Sequence, residues 1–281
     1  MSEASFLTFY WYAIATIFGL LVGSFLNVVI ARVPYDESVV RPRSRCPSCE
    51  TTIAWYDNIP VVSWLILRAK CRQCSEPISA IYPFVELLTG VLSLLVFLRF
   101  VPDPAQMTVQ GLALYGVYFV FVAALIAVTF IDLEHYIIPN EISLTGTALG
   151  VLICFVLDSL GLGWISWEAS LLGALVGGGS LLFVIGAYWL VRRQEGMGLG
   201  DVKLMAMLGA FLGVHPALLF ILFVSSMLGS VVGITLMVVR GRDLQHAIPF
   251  GPFLATGAVL YLLWGYRIAP VFLGAWDGFA P

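Results

Sequence analysis

Two aspartates at the ends of apolar runs are the residues best suited to chemistry, because a charge near hydrocarbon must be paired, hydrated or neutralised. Asp132 follows the uncharged run 104–131, and Asp201 follows a glycine-rich stretch that contains Gly198 and Gly200. Two carboxylates held a few ångströms apart share one proton, so one acts as a base and the other as an acid. Such a pair can drive the attack of water on a peptide carbonyl without a metal.

Several residues around these aspartates are candidates for supporting roles. Gly198 and Gly200 would permit backbone conformations closed to other residues and let a substrate strand approach closely. Glu134 and Lys203 are near enough in sequence to tune the pair, although a salt bridge or a solvated charge is the simpler interpretation. Glu86, close to the start of another apolar run, either faces the same cavity or marks its cytoplasmic rim. Taken singly, each aspartate could be an ordinary charge at a helix end; together they favour catalysis.

Four of the five cysteines form two Cys-x-x-Cys pairs, Cys46/Cys49 and Cys71/Cys74. Their spacing is typical of tetrahedral zinc sites, and the alternative of two disulfides is disfavoured in a reducing cytoplasm. Four thiolates leave no open position for water, so we expect a structural Zn²⁺ that stabilises a loop too small to fold alone. Cys154 stands alone in an apolar run and is expected to be a buried packing residue.

Composition places these groups in a membrane. Of the 281 residues 60% are hydrophobic and 11% are charged, whereas soluble domains are about 25% charged. No basic tail suggests a nucleic-acid partner. Residues 1–7 lack the cationic stretch and cleavage site of a signal peptide, so we expect the first apolar segment to be retained as an anchor.

The apolar runs predict an all-α polytopic membrane protein with about eight transmembrane helices. The expected spans are 4–31, 81–101, 104–131, 142–157, 169–191, a short span and a second span within 204–239 that are separated by a tight turn at His215 and Pro216, and 247–266. We expect three parts: a first helix at 1–31, a cytoplasmic four-cysteine loop domain at 32–80 and a seven-helix domain at 81–281. The glycines at 173–179 are expected to allow close helix packing rather than to bind phosphate.

The distribution of positive charge predicts the orientation. With eight spans, every lysine and arginine except Arg99 and Arg267 falls on one side of the membrane, and seven of them lie within 32–80. The positive-inside rule then places that loop in the cytoplasm and both termini in the periplasm. Asp132 and Asp201 both come to the cytoplasmic face.

Four blocks, in order, resemble the prepilin peptidase family, also called type IV leader peptidases. They are Gly23 to Pro34, the cysteine loop followed by Ile81 to Gly90, the Asp132 segment ending at Asn140, and Gly198 to Lys203. The resemblance implies a Gly-x-Gly-Asp aspartic protease of the bacterial inner membrane, which removes the basic leader of type IV prepilins and type II secretion pseudopilins after a glycine. It makes Asp132 and Asp201 the catalytic pair and the four cysteines zinc ligands.

The resemblance also implies a second activity. Family members with the large cysteine loop methylate the new amino terminus with S-adenosylmethionine. Nothing in composition or spacing locates the methyl donor, and the Asn27 to Pro34 block and the loop are the first places to look.

Other classes compete with this interpretation. A presenilin-like protease shares the Gly-x-Gly-Asp element, but the cysteine pairs argue against it. A transporter could use Asp132 and Asp201 as ion sites, yet the inverted repeats common in transporters are not apparent in the sequence. A structural subunit of a secretion machine would leave both aspartates unexplained.

Overall fold

The computed structural model describes residues 3–193, 198–240, 248–265 and 267. Over these residues the chain is helical, with short 3-10 turns and two isolated β-bridges but no strands, which confirms the predicted all-α class. The helices are α1 (Glu3–Arg32), α2 (Val62–Ile66), α3 (Ile81–Phe100), α4 (Val109–His135), α5 (Asn140–Ser159), α6 (Trp167–Arg192), α7 (Leu199–Leu212), α8 (Ala217–Arg240) and α9 (Gly251–Leu260).

Six helices in the described part of the chain are long and apolar enough to cross a membrane, namely α1, α3, α4, α5, α6 and α8. The break expected at His215 and Pro216 separates α7 from α8. With 14 residues, α7 is about 21 Å long and shorter than the roughly 30 Å hydrocarbon core. α9 continues as a π-helix over Tyr261–Gly265. The eight expected apolar helices are found, but eight full spans is an approximate count; residues 247 and 266, the ends of the last expected span, lie outside the described residues.

The chain forms two compact units, Met1–Ala127 and Val128–Pro281. Helix α4 begins in the first unit and ends in the second. The predicted division into a first helix at 1–31, a loop domain at 32–80 and a helical domain at 81–281 was based on function rather than on compactness, and it stays a prediction.

In the first unit, small residues let α1 pack tightly on α3. A Cβ atom at Gly19 would lie 2.5 Å from Cβ of Ser93, and one at Gly23 would lie 2.7 Å from Cα of Glu86. The Ser93 hydroxyl donates to the Ala15 carbonyl at 2.7 Å and lies 2.9 Å from the Tyr115 hydroxyl. These contacts join α1, α3 and the first half of α4.

In the second unit, α7 is buried between α5 and α6. A Cβ atom at Gly173 would overlap the carbonyl oxygen of Gly209, so the two backbones touch. The Ser170 hydroxyl donates to the Ala210 carbonyl at 2.6 Å. The packing role expected for the glycines at 173–179 is therefore confirmed, although Gly179 itself faces open space.

Cys154 completes the contact of α5 with α7. Its side chain is buried, and its Sγ lies 3.7 Å from the carbonyl oxygen of Ala210. The predicted packing role of this cysteine is confirmed. Close packing on two sides fixes the position of α7, which carries Asp201.

Candidate active site and metal site

Asp132 lies buried in the last turn of α4, with 5% of its surface exposed. Its Oδ2 atom accepts a hydrogen bond at 3.0 Å from the backbone N–H of Gly251, the first residue of α9. The first N–H groups of a helix lack partners inside the helix, and the helix dipole favours an anion there. A Cβ atom at Gly251 would lie 2.5 Å from Oδ2, so only glycine permits this approach.

Asp201 is the third residue of α7 and is 9% exposed. Its backbone N–H donates to the carbonyl of Gly198 at 3.3 Å, which closes the first turn of the helix. The carboxyl group of Asp201 interacts electrostatically with that of Asp132. The two aspartates therefore lie in one neighbourhood although 69 positions separate them in the numbering.

Ile138 links the two helix starts that position these acids. A Cβ atom at Gly200, next to Asp201, would lie 3.1 Å from Cβ of Ile138. A Cβ atom at Gly251 would lie 3.2 Å from Cδ1 of Ile138. The starts of α7 and α9 thus converge on the segment that follows α4.

A residue in the left-handed conformation turns the chain between the end of α4 and the start of α5. Tyr136 has φ of 58°, and its N–H donates to the carbonyl of Asp132 at 3.0 Å. The chain then enters α5 at Asn140, whose Oδ1 accepts a hydrogen bond from Nζ of Lys203 at 2.7 Å. Lys203 therefore ties α7 to the start of α5, while Glu134 is exposed.

The conformational reason given for the glycines before Asp201 is wrong. Gly198 caps α7 with φ of −73° and ψ of 146°, an extended conformation open to any residue, and Gly200 lies within the helix without a positive φ. Gly200 instead packs closely against Ile138, which would have to shift slightly to make room for a Cβ atom. Gly198 is exposed with space around it, so close approach of a substrate there stays a prediction.

Glu86 belongs to the first unit, where it connects the cysteine loop to α3. The carboxylate is 8% exposed and accepts a hydrogen bond from the N–H of Val61 at 2.7 Å. The hydroxyl of Ser24 also bonds to it. These contacts give Glu86 a structural task in anchoring the loop; the predicted cavity role stays a prediction.

The four paired cysteines form one cluster in which all Sγ atoms lie within 4.8 Å of one another. The Sγ atoms of Cys46 and Cys74 are 3.7 Å apart, and those of Cys49 and Cys71 are 4.0 Å apart. A disulfide would need about 2.05 Å, and all four thiols are free, so the disulfide alternative is not formed. Metal–sulfur bonds of about 2.3 Å in a tetrahedron place sulfurs about 3.8 Å apart. The cluster therefore fits a metal ion.

The two cysteine turns are built alike. In each turn the N–H of the first cysteine donates to the carbonyl five residues later, and the residue after the second cysteine has a left-handed φ. The bonds are Cys46 to Thr51 at 3.0 Å and Cys71 to Glu76 at 2.8 Å, and the angles are 56° at Glu50 and 60° at Ser75.

Hydrogen bonds favour the thiolate at two of the four cysteines, whereas desolvation and the hydrogen bonds with Cys71, Cys49 and Cys46 raise the pKa of the Cys74 thiol to about 12. Side-chain and backbone bonds with Thr51 lower the pKa of the Cys49 thiol to about 6. Backbone bonds with Cys74 and Gln73 lower the pKa of the Cys71 thiol. The thiolate is the form of cysteine that binds metals.

Sequence reasoning missed Gly251 and the contact of Ile138 with Gly200. A signal for Gly251 was available, because Gly251-Pro252 lies near the start of the last apolar run and proline favours the first turn of a helix. The start of the helix could be predicted in this way. The hydrogen bond of Gly251 to Asp132 could not be predicted, because 119 positions separate the two residues.

The fold and the site define a polytopic membrane protein with a buried pair of acids and a four-cysteine loop. Residues 17–100 match the Bacterial Peptidase A24 N-terminal domain, and residues 119–234 match the Type IV leader peptidase family. The chain belongs to the type IV leader peptidase family, as the resemblance of its four blocks predicted.

Relatives named prepilin leader peptidase/N-methyltransferase support this membership. The protein from Aeromonas hydrophila is 38% identical over 94% of both chains, and that from Neisseria gonorrhoeae is 39% identical over 91% of both. The protein from Myxococcus xanthus is 46% identical over 80% of this chain and 63% of its own length. No solved structure matches this chain.

Proposed function

We propose that this chain is a prepilin peptidase in which Asp132 and Asp201 form the catalytic pair. It removes the basic leader of type IV prepilins and type II secretion pseudopilins after a glycine. The convergence of two buried acids at the starts of α7 and α9 carries the proposal. The names of the relatives support prepilins as the substrate class.

The contacts of each carboxyl group suggest its role. Oδ2 of Asp132 accepts the N–H of Gly251, and both this hydrogen bond and the start of α9 favour the ionised form of the carboxyl group. Asp132 is therefore the base. Asp201 faces the charge of Asp132 and accordingly holds the shared proton as the acid.

Hydrolysis then follows in two proton-balanced steps. Water attacks the carbonyl carbon of the glycine while Asp132 takes one of its protons and Asp201 protonates the carbonyl oxygen. The tetrahedral intermediate collapses when Asp132 returns its proton to the departing amide nitrogen and Asp201 recovers a proton from a hydroxyl of the intermediate. The products are a leader with a carboxyl terminus and a mature chain with a new amino terminus.

The four-cysteine cluster is proposed to hold a structural Zn²⁺ through Cys46, Cys49, Cys71 and Cys74. The bound metal would cross-link the two cysteine turns, with no position left for water or substrate. The loop is therefore assigned to stability and substrate docking rather than to hydrolysis. The division into a helix at 1–31, a loop domain at 32–80 and a transmembrane peptidase domain at 81–281 rests on this assignment.

Methylation of the new amino terminus with S-adenosylmethionine is proposed as a second activity, supported by the names of the relatives. Within the block from Asn27 to Pro34, Nδ2 of Asn27 donates to the carbonyl of Tyr82 at 3.1 Å. Nη1 of Arg32 donates to the carbonyl of Ser38 at 2.8 Å. These contacts hold α1 against α3 and the loop, which is a structural task and not a fitted cradle for the methyl donor.

The orientation is also a proposal. The concentration of lysine and arginine in the loop at 32–80 supports a cytoplasmic loop, periplasmic termini and an active site at the cytoplasmic face of the bacterial inner membrane. A basic leader would then stay in the cytoplasm while the apolar helix of the prepilin lies in the bilayer. Family membership favours this function over the transporter and presenilin-like alternatives.

The test is to incubate the purified chain in detergent with a full-length prepilin and determine the product masses. We expect loss of the leader after its last glycine and, with S-adenosylmethionine added, the mass of one further methyl group. A prepilin with that glycine replaced by valine is the matched substrate and should stay intact. Cleavage at another position, or of both substrates alike, would contradict the proposal.

A further inference from the structure

Six large apolar side chains lie exposed on one short stretch of the cysteine loop, residues 55–66, which we call the apolar segment. They are Trp55, Tyr56, Ile59, Val62, Leu65 and Ile66. The last two are 62% and 70% exposed, so they cover no part of the protein core. Clustered exposed apolar side chains mark a surface that meets another molecule or a membrane.

Hydrogen bonds hold the apolar segment in a defined conformation. The Ser63 hydroxyl donates to the carbonyl of Tyr56 at 2.9 Å and accepts the N–H of Ile59 at 3.0 Å. Nε1 of Trp64 donates to the carbonyl of Ile78 at 3.1 Å, just before α3 begins. The polar groups bond inside the loop, and the apolar side chains are left on its outside.

The bond between Val61 and Glu86 sets the depth of the segment. Glu86 is the sixth residue of α3, a helix of 20 residues. A helix of this length just spans the hydrocarbon core of about 30 Å, so its sixth residue lies about 7 Å beyond its start. The N–H of Val61 reaches that carboxylate at 2.7 Å. Val61, in the middle of the apolar segment, therefore lies beside the first turns of α3, where that helix enters the bilayer.

Exposed apolar side chains occur at the start of α3 as well as on the segment. At the start of this helix the exposed side chains are again large and apolar, namely Ile81, Tyr82, Phe84 and Leu87. α3 is one of the helices that can cross the membrane. Its apolar surface is suited to lipid, and the bond from Val61 to Glu86 holds the segment beside the first turns of this helix.

The segment itself carries almost no charge, and the positively charged residues that follow it are suited to the phosphates of phospholipid. Asp57 is the only charged residue from 53 to 67. Both of its oxygens accept hydrogen bonds from Arg72, at 2.8 and 2.5 Å, which lower the pKa of Asp57 and neutralise its charge. Arg68 and Lys70 follow and are exposed. Aromatic rings beside cations are typical of the headgroup region of a bilayer that contains anionic lipids.

We infer that the apolar segment lies in the headgroup region of the membrane and anchors the cysteine loop to phospholipid. Trp55, Leu65 and Ile66 enter the boundary with the acyl chains, and Arg68 and Lys70 lie among lipid phosphates. The inference does not depend on the chemistry of Asp132 and Asp201. Its failure would leave the peptidase proposal untouched.

The test places a photoreactive benzophenone amino acid at position 65 or 66 of the full chain in nanodiscs of phosphatidylethanolamine and phosphatidylglycerol. Val40, an exposed residue of the same loop next to Arg41, is the matched control position, and Phe84 on α3 is the reference for lipid contact. After irradiation, mass spectrometry identifies the partner. We expect phospholipid adducts at 65 and 66 with the yield found at 84 and several-fold above that at 40.

The same measurement can overturn the inference. Adducts at 65 and 66 no more frequent than at 40 would exclude a lipid anchor. Adducts formed only with a second copy of the chain, or only with an added prepilin, would replace lipid by that partner. Exchanging phosphatidylglycerol for phosphatidylcholine should lower the adduct yield at position 66, and Arg68→Gln should weaken this dependence on lipid charge. An unchanged yield would show that Arg68 and Lys70 do not contribute to lipid binding.

Discussion

The lack of a side chain at Gly251 allows its backbone to approach Asp132 closely. Its N–H reaches Asp132 at 3.0 Å, and a Cβ atom on Gly251 would come within 2.5 Å of the same carboxylate oxygen. Asp132 and Asp201 were predictable from residue type, since acids at the ends of apolar runs need a reason to be there. The role of Gly251 was not predictable, because it arises only when α9 is placed beside the end of α4.

We predict that Gly251→Ala lowers kcat by about 100-fold, the cost expected when a catalytic group is displaced by about 1 Å. KM should change little, because the added methyl group meets Asp132 and not the leader. Prepilin cleavage by purified protein measures both constants.

Gly179→Ala is the matched control for Gly251→Ala, because Gly179 lies in the same unit and its Cβ atom would face open space. This variant should cleave like the wild type. Equal activity of Gly251→Ala and Gly179→Ala would show that the contact with Asp132 does not position it.

The bond of Lys203 to Asn140 predicts that the two residues act as one unit. Lys203→Met and Asn140→Ala should each slow cleavage several-fold, and the double variant should be no slower than the worse single variant, as in a double-mutant cycle of coupled residues. The dependence of kcat on pH is the second readout. Additive losses, or a shifted pH profile in Lys203→Met alone, would assign Lys203 to the acid pair instead.

Among the elements, α7 depends most on its neighbours. Its length is too short to span the bilayer, and glycine contacts hold it against α6. The sequence predicted a packing role for the glycines at 173–179 but not their partner, because hydropathy does not specify which helices touch. It also predicted about eight spans, since the run from 204 to 239 carries no Asp, Glu, Lys or Arg and is interrupted at His215 and Pro216, which left a short apolar piece that was counted as a span.

Gly209→Val should force α7 away from α6, because even a Cβ atom at this position would overlap the carbonyl oxygen of Gly173. Overpacking of this kind costs about 1–3 kcal/mol. We expect a lower Tm in detergent and weaker cleavage through the displaced Asp201. A Tm equal to that of Gly179→Ala would contradict the tight contact described for these helices.

The cysteine loop gives a prediction about metal removal. Purified protein should contain one zinc per chain, and Cys46→Ser with Cys74→Ser should lose it, since two ligands cannot hold a tetrahedral site. The loop should then be cut by added protease, and the KM for prepilin should rise more than kcat falls. Cys154→Ser is the control and should keep its zinc, because Cys154 packs against α7. Wild-type protein without stoichiometric zinc would contradict the assignment.

At the scale of the whole molecule, the placement of charge along the chain was readable from the sequence, and the division into two compact units was not. Orientation depends on which loops carry lysine and arginine, a property of the sequence alone. Compact units depend on which helices share contacts, and here the boundary falls inside α4, with no break in hydropathy to mark it.

The orientation predicts opposite results for two reporter fusions. Alkaline phosphatase, which is active only in the periplasm, should be active when fused after residue 163, between α5 and α6. The same enzyme fused after residue 193, beyond α6, should be inactive. The reverse pattern of activity would mean that the membrane orientation is opposite to the one proposed. Asp132 and Asp201 would then lie at the periplasmic face, away from a cytoplasmic leader.

The central claim is that Asp132 and Asp201 act as one catalytic pair, and the most direct test is prepilin cleavage by Asp132→Asn and Asp201→Asn. Glu141→Gln, which changes an exposed acid at the start of α5, is the matched control. With equal insertion and equal Tm, each aspartate variant should lose about 10²–10⁴-fold in kcat, the share expected of acid–base catalysis, while the control cleaves normally. Cleavage near the wild-type rate by either aspartate variant would contradict the paired mechanism.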